Sequence, residues 1–445
     1  MSIKAGLISL GCAKNQVDSE LMLGILSENG VEITAKEEDA DVIIINTCGF
    51  IEQAKTEAIE NILEIIELKK EGIVKGIIVT GCLSERYKNE IEKEFPEVSA
   101  FLGTGSYNKI YETVKSVYNG EKYVAFDEKE SHIIEGKRIL ISPPYTAYIK
   151  ISEGCDNCCS YCAIPLIRGR FRSRKTESII SEAKLLTQNG VKEICITAQD
   201  TTRYGLDLYG EYKLAHLLNE LCKINGLEWI RVLYLYPDKI TDELLEVIAQ
   251  NKKIVNYIDM PVQHASGRIL KLMNRQGDKK SLLAIIKKIR EKIPGVVLRT
   301  TVMTGFPQES EKDFEELAAF IKEAQFERLG AFCYSSEEGT KAASLSGQID
   351  EETKQKRYEN IMQEQYLIMQ KHNEEQINKT LDTLVEGYDR YIKCYFGRSY
   401  MDAPDIDGKV FFKSEKRLSA GECAKVRITN ISDYDLLGEI IQNEA

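Results

Sequence analysis

Cys155, Cys159 and Cys162 are spaced Cys-x3-Cys-x2-Cys within the segment EGCDNCCSYCAIP. Three thiolates on so short a loop can each bind a different iron of a four-iron cluster, whose protein ligands are normally cysteine sulfurs. The fourth iron is then left without a protein ligand. That position suits chelation by an amino-acid head group such as that of S-adenosylmethionine, poised for electron transfer and radical generation. The competing reading is a structural zinc site or buried thiols. Zinc favours four closed ligands, commonly two separated Cys-x2-Cys pairs or a histidine pair. Here the pairs Cys155/Cys158 and Cys159/Cys162 abut, and no histidine lies near. Cys158 is adjacent to Cys159, and neighbours on a short loop point apart, so Cys158 is expected to be a bystander.

Cys12, Cys48 and Cys82 form a second set. Each follows a short apolar run (Gly6–Leu10, Val42–Ile45, Gly76–Val79) and precedes a helix-forming stretch. One cysteine at a strand end is usually a buried thiol, but three at equivalent positions of successive units repeat the three-thiolate logic. Cys195, Cys222, Cys333, Cys394 and Cys423 then read as core or incidental thiols. Arg168 to Lys175, RGRFRSRK, carries five positive charges in eight residues. It is either a solvated cationic face or a binder of a carboxylate or phosphate. His264, in MPVQH, is either packed or a polar wall of a pocket. No serine–histidine or paired-carboxylate arrangement stands out, so hydrolysis is disfavoured and no side chain is given an acid–base role.

The elements that must position these cysteines follow from pattern. The 445 residues, 43% hydrophobic and 29% charged, are enough for two or three folded domains and too apolar for disorder. No apolar run has the length of a bilayer span, and the N-terminus lacks a signal layout, so a cytoplasmic protein is expected. Twelve cysteines without an export signal indicate thiol or metal chemistry, not a disulfide framework. Net charge −11 argues against a general nucleic-acid binder. The first 120 residues alternate strand and helix, which implies a parallel α/β sheet with its cysteines outside the carboxyl strand ends. Helices are expected at Gln16–Glu28, Glu52–Glu71 and around Ser84–Phe95, and Tyr123 to Pro144 reads as a connector. A second series has strands Tyr145–Ile151, Glu193–Thr197, Trp229–Leu235, Asn256–Met260, Val296–Met303 and Leu329–Tyr334, consistent with part of a barrel or an open sheet. A charged helix spans Glu351–Gln376. The strands Leu381–Glu386, Tyr391–Phe396, Lys409–Phe412, Ala424–Ile428 and Leu436–Ile441 then suggest a small antiparallel β-barrel.

GCAKNQVDSE, NTCGFIEQAK, GCLSERY, EGCDNCCSYCAIPLIRGRFRSR, IDMPVQH and GRSYMDAPDIDG together resemble the radical S-adenosylmethionine methylthiotransferases. The likeness covers nearly the whole chain and is nearest to the RimO type, which modifies small-subunit ribosomal protein twelve. It implies an N-terminal methylthiotransferase domain (2–119), a radical S-adenosylmethionine core shaped as a partial (βα)6 barrel (141–372) and a C-terminal TRAM β-barrel (374–441). It also implies two [4Fe-4S] clusters, with Cys12, Cys48 and Cys82 on the auxiliary one and Cys155, Cys159 and Cys162 on the radical one. The implied reaction replaces a hydrogen on an aspartate β-carbon by a methylthio group and uses two molecules of S-adenosylmethionine. An electron donor and a sulfur source, both unidentified, are further partners. Tyr161, Gln199 and Asp200 are expected cofactor contacts. TGFPQES departs from relatives by placing Gln308 where glycine is frequent. A methylthiotransferase acting on a tRNA base is one alternative, and a metal-stabilised RNA-binding module without catalysis is another. From Gln376 onward ten Lys plus Arg face twelve Asp plus Glu, without the basic stripe that a tRNA-gripping domain needs. The acidic loop around Asp402, Asp405 and Asp407 is therefore expected to dock the basic ribosomal protein, unless those aspartates only shape turns.

Overall fold

The computed structural model describes residues 2–129 and 133–441. Its first sheet contains β1 (Lys4–Ser9), β2 (Glu32–Ile33), β3 (Val42–Thr47), β4 (Gly76–Gly81), β5 (Ala100–Leu102) and β6 (Tyr123–Ala125). They are all parallel in the order β2-β1-β3-β4-β5-β6. All six residues of β3 and of β4 are buried. Helices cover both faces of such a sheet, which is why VIIINT and GIIVTG show no polar alternation. Helix Glu52–Lys70 buries Ala58, Ile62, Ile65 and Ile66, the stripe its 3.6-residue period marks out.

Three sequence expectations change here. The first helix begins at Ala13, directly after Cys12. The expected helix Ser84–Phe95 is two short ones, Cys82–Arg86 and Ile91–Glu94, because a turn at 87–90 breaks it. The stretch from Tyr123 is not all connector, since Tyr123–Ala125 completes the sheet. Glu130, Ser131 and His132 of that stretch lie outside the described residues. Its later part runs without regular secondary structure to Pro143–Pro144 and is pinned to helix Ala13–Glu28 by Arg138, 2.6 Å from Glu20.

The second sheet contains β7 (Thr146–Lys150), β10 (Glu193–Thr197), β11 (Trp229–Val232), β12 (Ile254–Asp259), β13 (Val297–Thr304) and β14 (Arg328–Cys333). Two-residue strands β8 (Ser152–Glu153) and β9 (Arg172–Ser173) pair antiparallel beside it. The six long strands pair in chain order, all parallel, and β7 and β14 remain the two edges. This is a partial barrel. One face sends Ala147, Ile149, Ile194, Ile196, Ile230 and Val232 into the core under the helices. The other face carries alternate residues, Glu193, Arg231 and Arg299 among them, toward the C-terminal domain.

That domain is a closed five-stranded barrel of β15 (Thr380–Asp389), β16 (Cys394–Ser399), β17 (Val410–Lys413), β18 (Cys423–Ser432) and β19 (Asp435–Ile440), in the order β15-β16-β17-β19-β18. Helix Glu351–Glu374 leads into it. The strand expected from Tyr391 begins only at Cys394, because residues 390–393 make the turn and Tyr391 stands 97% exposed at its tip.

The acidic docking loop is overturned. Asp402 is buried 2.7 Å from Arg328, and Asp407 accepts from the Tyr257 hydroxyl at 2.6 Å with the Arg299 Nε at 3.7 Å. Only Asp405, at φ +62°, is exposed. Buried carboxylates need paired cations, and the second sheet supplies them. Residues Arg398 to Asp407 therefore wedge the barrel against the amino ends of the second sheet's strands. Glu193 accepts from Arg231 at 2.9 Å and Arg398 at 2.6 Å in the same contact.

Candidate functional site

Cys12, Cys48 and Cys82 follow β1, β3 and β4, three adjacent strands whose ends stay in register, with Ser9 opposite Asn46 and Thr47 opposite Gly81. Each cysteine has a glycine beside it. A Cβ on Gly11 would lie 2.6 Å from the Cβ of Cys48, and one on Gly49 would lie 2.7 Å from the Cα of Leu83. Gly81, at φ +95°, would place a Cβ 2.4 Å from the Asn46 side chain. Only glycine lets three loops approach this closely. The underside is tied by Asn15, whose amide donates to the carbonyl oxygens of Leu10 at 2.7 Å and Asn46 at 3.2 Å.

The second triad is local. The loop from Gly154 to Ala163 is bracketed by β8 and β9, and Gly154, at φ +73°, leaves room for the carbonyl of Arg170 2.1 Å from where a Cβ would stand. Cys155 N–H donates to Gly169 O at 3.2 Å, and Cys162 N–H to Cys159 O at 3.0 Å. The Tyr236 hydroxyl lies 3.2 Å from the Cys159 sulfur, and Arg275 stacks on the Tyr236 ring at 4.0 Å. Cys158 is exposed at φ +49°.

The thiols within each triad feel one another. Burial, then the neighbouring Cys82, pushes the Cys48 thiol up to about 12. Burial and the charge of Arg168 act oppositely on Cys82, and its net shift is upward. Desolvation opposes ionisation of Cys12 as well, but Lys14 and Arg168 outweigh it and lower that thiol. Burial raises Cys155 to about 12, and burial with Cys159 raises Cys162. Thiolates whose charges raise their neighbours' affinity for protons are a donor set that calls for positive charge among them, which a cationic iron–sulfur core would provide. Among the described residues no three His, Cys, Asp or Glu side chains converge closely enough to hold one metal ion. A four-iron cluster differs in taking each thiolate on a separate iron.

The two triads share one wall. Arg168, from the helix after the cysteine loop, donates to Asp18 at 2.6 Å, Glu153 at 3.2 Å, Asn15 at 3.1 Å and the Cys82 sulfur at 3.4 Å. Cys82 also packs on Ala163 and Ile167 of that segment. Lys150 pairs with the same Asp18 and, at 2.5 Å, with Glu153. Of RGRFRSRK, Arg168 and Arg174 are thus buried in ion pairs, Arg174 with Glu135 and Glu182, and are not a solvated face.

The other expected contacts scatter around the loop. Asp200 is fully buried, and its carboxylate accepts from Asn157 of the cysteine loop at 2.7 Å. Burial raises its pKa. Gln199 donates to Glu153 at 3.2 Å, while its buried Oε1 has no partner among the described residues. The Tyr161 hydroxyl lies 3.5 Å from Arg275. His264 is packed at 0% exposure, and its Nδ1 accepts from Ser266 N–H at 2.9 Å. Sequence reasoning missed Asp18, Lys150, Glu153, Tyr236 and Arg275. Asp18 carried a signal, since it lies two turns into the helix after Cys12, on the face that Asn15 shares.

The chain matches three family models, described as an uncharacterized protein family UPF0004 (residues 4–103), the radical SAM superfamily (149–321) and the TRAM domain (377–441). It is similar in fold to a radical S-adenosylmethionine methyltransferase, TsrM, from Kitasatospora setae (TM-score 0.56, 13% identity, covering 74% of this chain and 73% of that one). Proteins called ribosomal protein uS12 methylthiotransferase RimO are far nearer in sequence. That of Thermoanaerobacter sp. (strain X514) is 50% identical over 98% of this chain and 99% of its own length, and that of Acetivibrio thermocellus 49% over all of both. With such identity from end to end, the chain belongs to the RimO family of radical S-adenosylmethionine methylthiotransferases.

Proposed function

We propose that this chain methylthiolates the β-carbon of an aspartate in ribosomal protein uS12, using two [4Fe-4S] clusters and two molecules of S-adenosylmethionine. Cys155, Cys159 and Cys162 would hold the radical cluster, and Cys12, Cys48 and Cys82 the auxiliary one. When bound, these groups would supply one-electron chemistry strong enough for an unactivated C–H bond, and the methyl group that the transferred sulfur carries. The observation that carries the reading is the shared wall: Arg168 touches Cys82 and stands six residues beyond Cys162.

The chain's own residues position and insulate. Tyr236 fixes the rotamer of Cys159 through its hydroxyl, and Arg275 holds Tyr236 in place. Asp200 orders the cysteine loop through Asn157, and Gln199 offers Oε1 to a donor such as an ammonium group of the cofactor. Tyr161, beside Arg275, would contact the cofactor as well. Asp18 and Glu153 neutralise Arg168 and Lys150, which allows four charges to sit in a buried interface. The working units are 2–119, 141–372 and 374–441, with β6 added to the first sheet by the connector. A ribosomal substrate implies a cytoplasmic enzyme, and among the described residues no helix is long and apolar enough to cross a membrane. An external electron donor and sulfur source complete the scheme.

The test is anaerobic reconstitution with iron and sulfide, followed by incubation with uS12, S-adenosylmethionine and a reductant. A uS12 mass gain matching one methylthio group for hydrogen supports the reading. Methylthiolation of tRNA with uS12 unchanged would replace it by the base-modifying alternative.

A further inference from the structure

The segment that follows edge strand β14 touches both cysteine sites. At one end Glu337, 3% exposed, accepts from the Arg86 guanidinium at 2.7 Å and from the Ser335 hydroxyl at 2.7 Å, with the Lys55 ammonium at 3.3 Å. Arg86 closes the helix that Cys82 opens. It donates further to the carbonyl oxygens of Gly49, next to Cys48, at 2.8 Å and of Glu338 at 2.9 Å. At the other end, the Ala342 N–H donates at 2.8 Å to the carbonyl of Ser160, which stands between Cys159 and Cys162. Within the segment, the Thr340 hydroxyl and N–H both donate to the Glu337 carbonyl, at 2.7 and 3.1 Å. A run of short contacts thus leads from the loops of Cys48 and Cys82 to the loop of Cys159 and Cys162, and it does not pass through Arg168.

The run crosses from one domain to the other at Glu337 and Glu338, where the Arg86 side chain, 5% exposed, is the central donor. A guanidinium serves several acceptors in a fixed fork geometry, which an ammonium such as that of Lys55 does not reproduce. Burial opposes ionisation of Glu337, but Ser335, Arg86 and Lys55 together hold its pKa below the ordinary value, so the pair is charged. A buried ion pair gains little net stability over apolar packing, and its best-attested use is to fix register.

We propose that Arg86 and Glu337 are positioning residues, which set the spacing of the two cysteine triads by locking the Cys48 and Cys82 loops to the segment that holds the loop of Cys159 and Cys162. The inference deepens the proposed function and rests on it, since transfer between two centres demands a fixed gap. A misplacement of about 1 Å can cost a hundredfold in rate. Cleavage of S-adenosylmethionine needs one centre only, so its rate should not depend on the gap.

The test combines a mutant cycle with spectroscopy. Reconstituted wild type, Arg86→Gln, Glu337→Gln and the double variant are compared for iron content, melting temperature, 5′-deoxyadenosine and methylthiolated uS12. The magnetic interaction between the two reduced clusters is read by electron paramagnetic resonance. Each single variant is expected to keep its iron and to cleave S-adenosylmethionine at close to the wild-type rate. Methylthio product per 5′-deoxyadenosine should fall at least about tenfold, with an altered inter-cluster interaction, and the double variant should fall no further. Arg86→Lys, which keeps the charge but not the fork, should recover part of the ratio. An unchanged ratio, a loss of cleavage in step with product, or additive losses in the double variant would overturn the assignment. Should Arg86→Gln lose iron, Glu337→Gln decides, because it leaves Arg86 both carbonyl acceptors. Loss of iron there too would make the pair a mere support of Cys48 and Cys82 and also overturn it. Wild type that forms no methylthiolated uS12 would strike the proposed function instead, and the resonance spectra of the variants would still decide the spacing.

Discussion

The two cysteine triads reach similar arrangements by opposite routes. Cys155, Cys159 and Cys162 lie on one loop, and hydrogen bonds within the loop and to the neighbouring Gly169 set their spacing. Cys12, Cys48 and Cys82 are separated by 36 and 34 residues and meet only because three strands pair in register. A local site depends on turn geometry, whereas a distributed one depends on every contact that aligns its strands. The second kind should therefore fail under changes that the first survives.

The largest expected effect breaks the comparison at its ligands. Alanine at Cys155, Cys159 or Cys162 should abolish S-adenosylmethionine cleavage, read as 5′-deoxyadenosine. Alanine at Cys12, Cys48 or Cys82 should spare cleavage in part while ending methylthio transfer. Undiminished product from Cys12→Ala would dissolve the distinction between the triads. Next in size is a backbone change that removes no ligand. Gly81→Val puts a branched side chain on a φ of +95° against Asn46, a strain of about 1–3 kcal/mol at that residue alone. About half the iron should be lost, and the spectrum of the remainder should match that of Cys12→Ala. Equal loss from both triads would show them to be one cooperative site.

A smaller effect is expected from acid. Burial favours protonation of Glu193, but Arg398 and Arg231 prevail and hold its pKa at about 2, against an ordinary 4.5. A depressed carboxylate contributes stability in full above pH 4.5 and loses it as pH falls toward 2. The contribution is about 3 kcal/mol at neutral pH. Thermal melts of Glu193→Gln should lack this part of the acid dependence between pH 4.5 and 3, and an unchanged acid slope would refute it. The smallest effect concerns the exposed member of the loop: Cys158→Ser should retain close to the full iron content, and loss of half would make Cys158 a ligand. Gln308 tests local strain in the same way. It sits at φ +68°, so Gln308→Gly should raise stability by about 1 kcal/mol, seen as a higher melting temperature.

What could be read from the chain follows the same division. The cysteine loop is legible because its three cysteines are neighbours, and β3 and β4 because buried parallel strands are uninterrupted apolar runs. The pairing of Asp402 and Asp407 is not legible, because nothing next to them in the chain announces Arg328 and Arg299, more than 70 and 100 residues away. β2 and β6 are too short for a pattern to emerge from two or three residues. Tyr236 and Arg275 hold Cys159 only through tertiary contact, so their role has no trace in spacing.

The wedge from Arg398 to Asp407 leaves the ribosome well after the strands it sits against. During synthesis the second sheet must wait with that face uncovered. Glu193, Arg231, Arg299 and Arg328 set charges among the apolar Tyr148, Val255, Tyr257 and Val297 of that face, so water can solvate part of it and the apolar area open to other nascent chains is broken up. The buried charges that close the finished protein would thus also serve as its protection while it is unfinished.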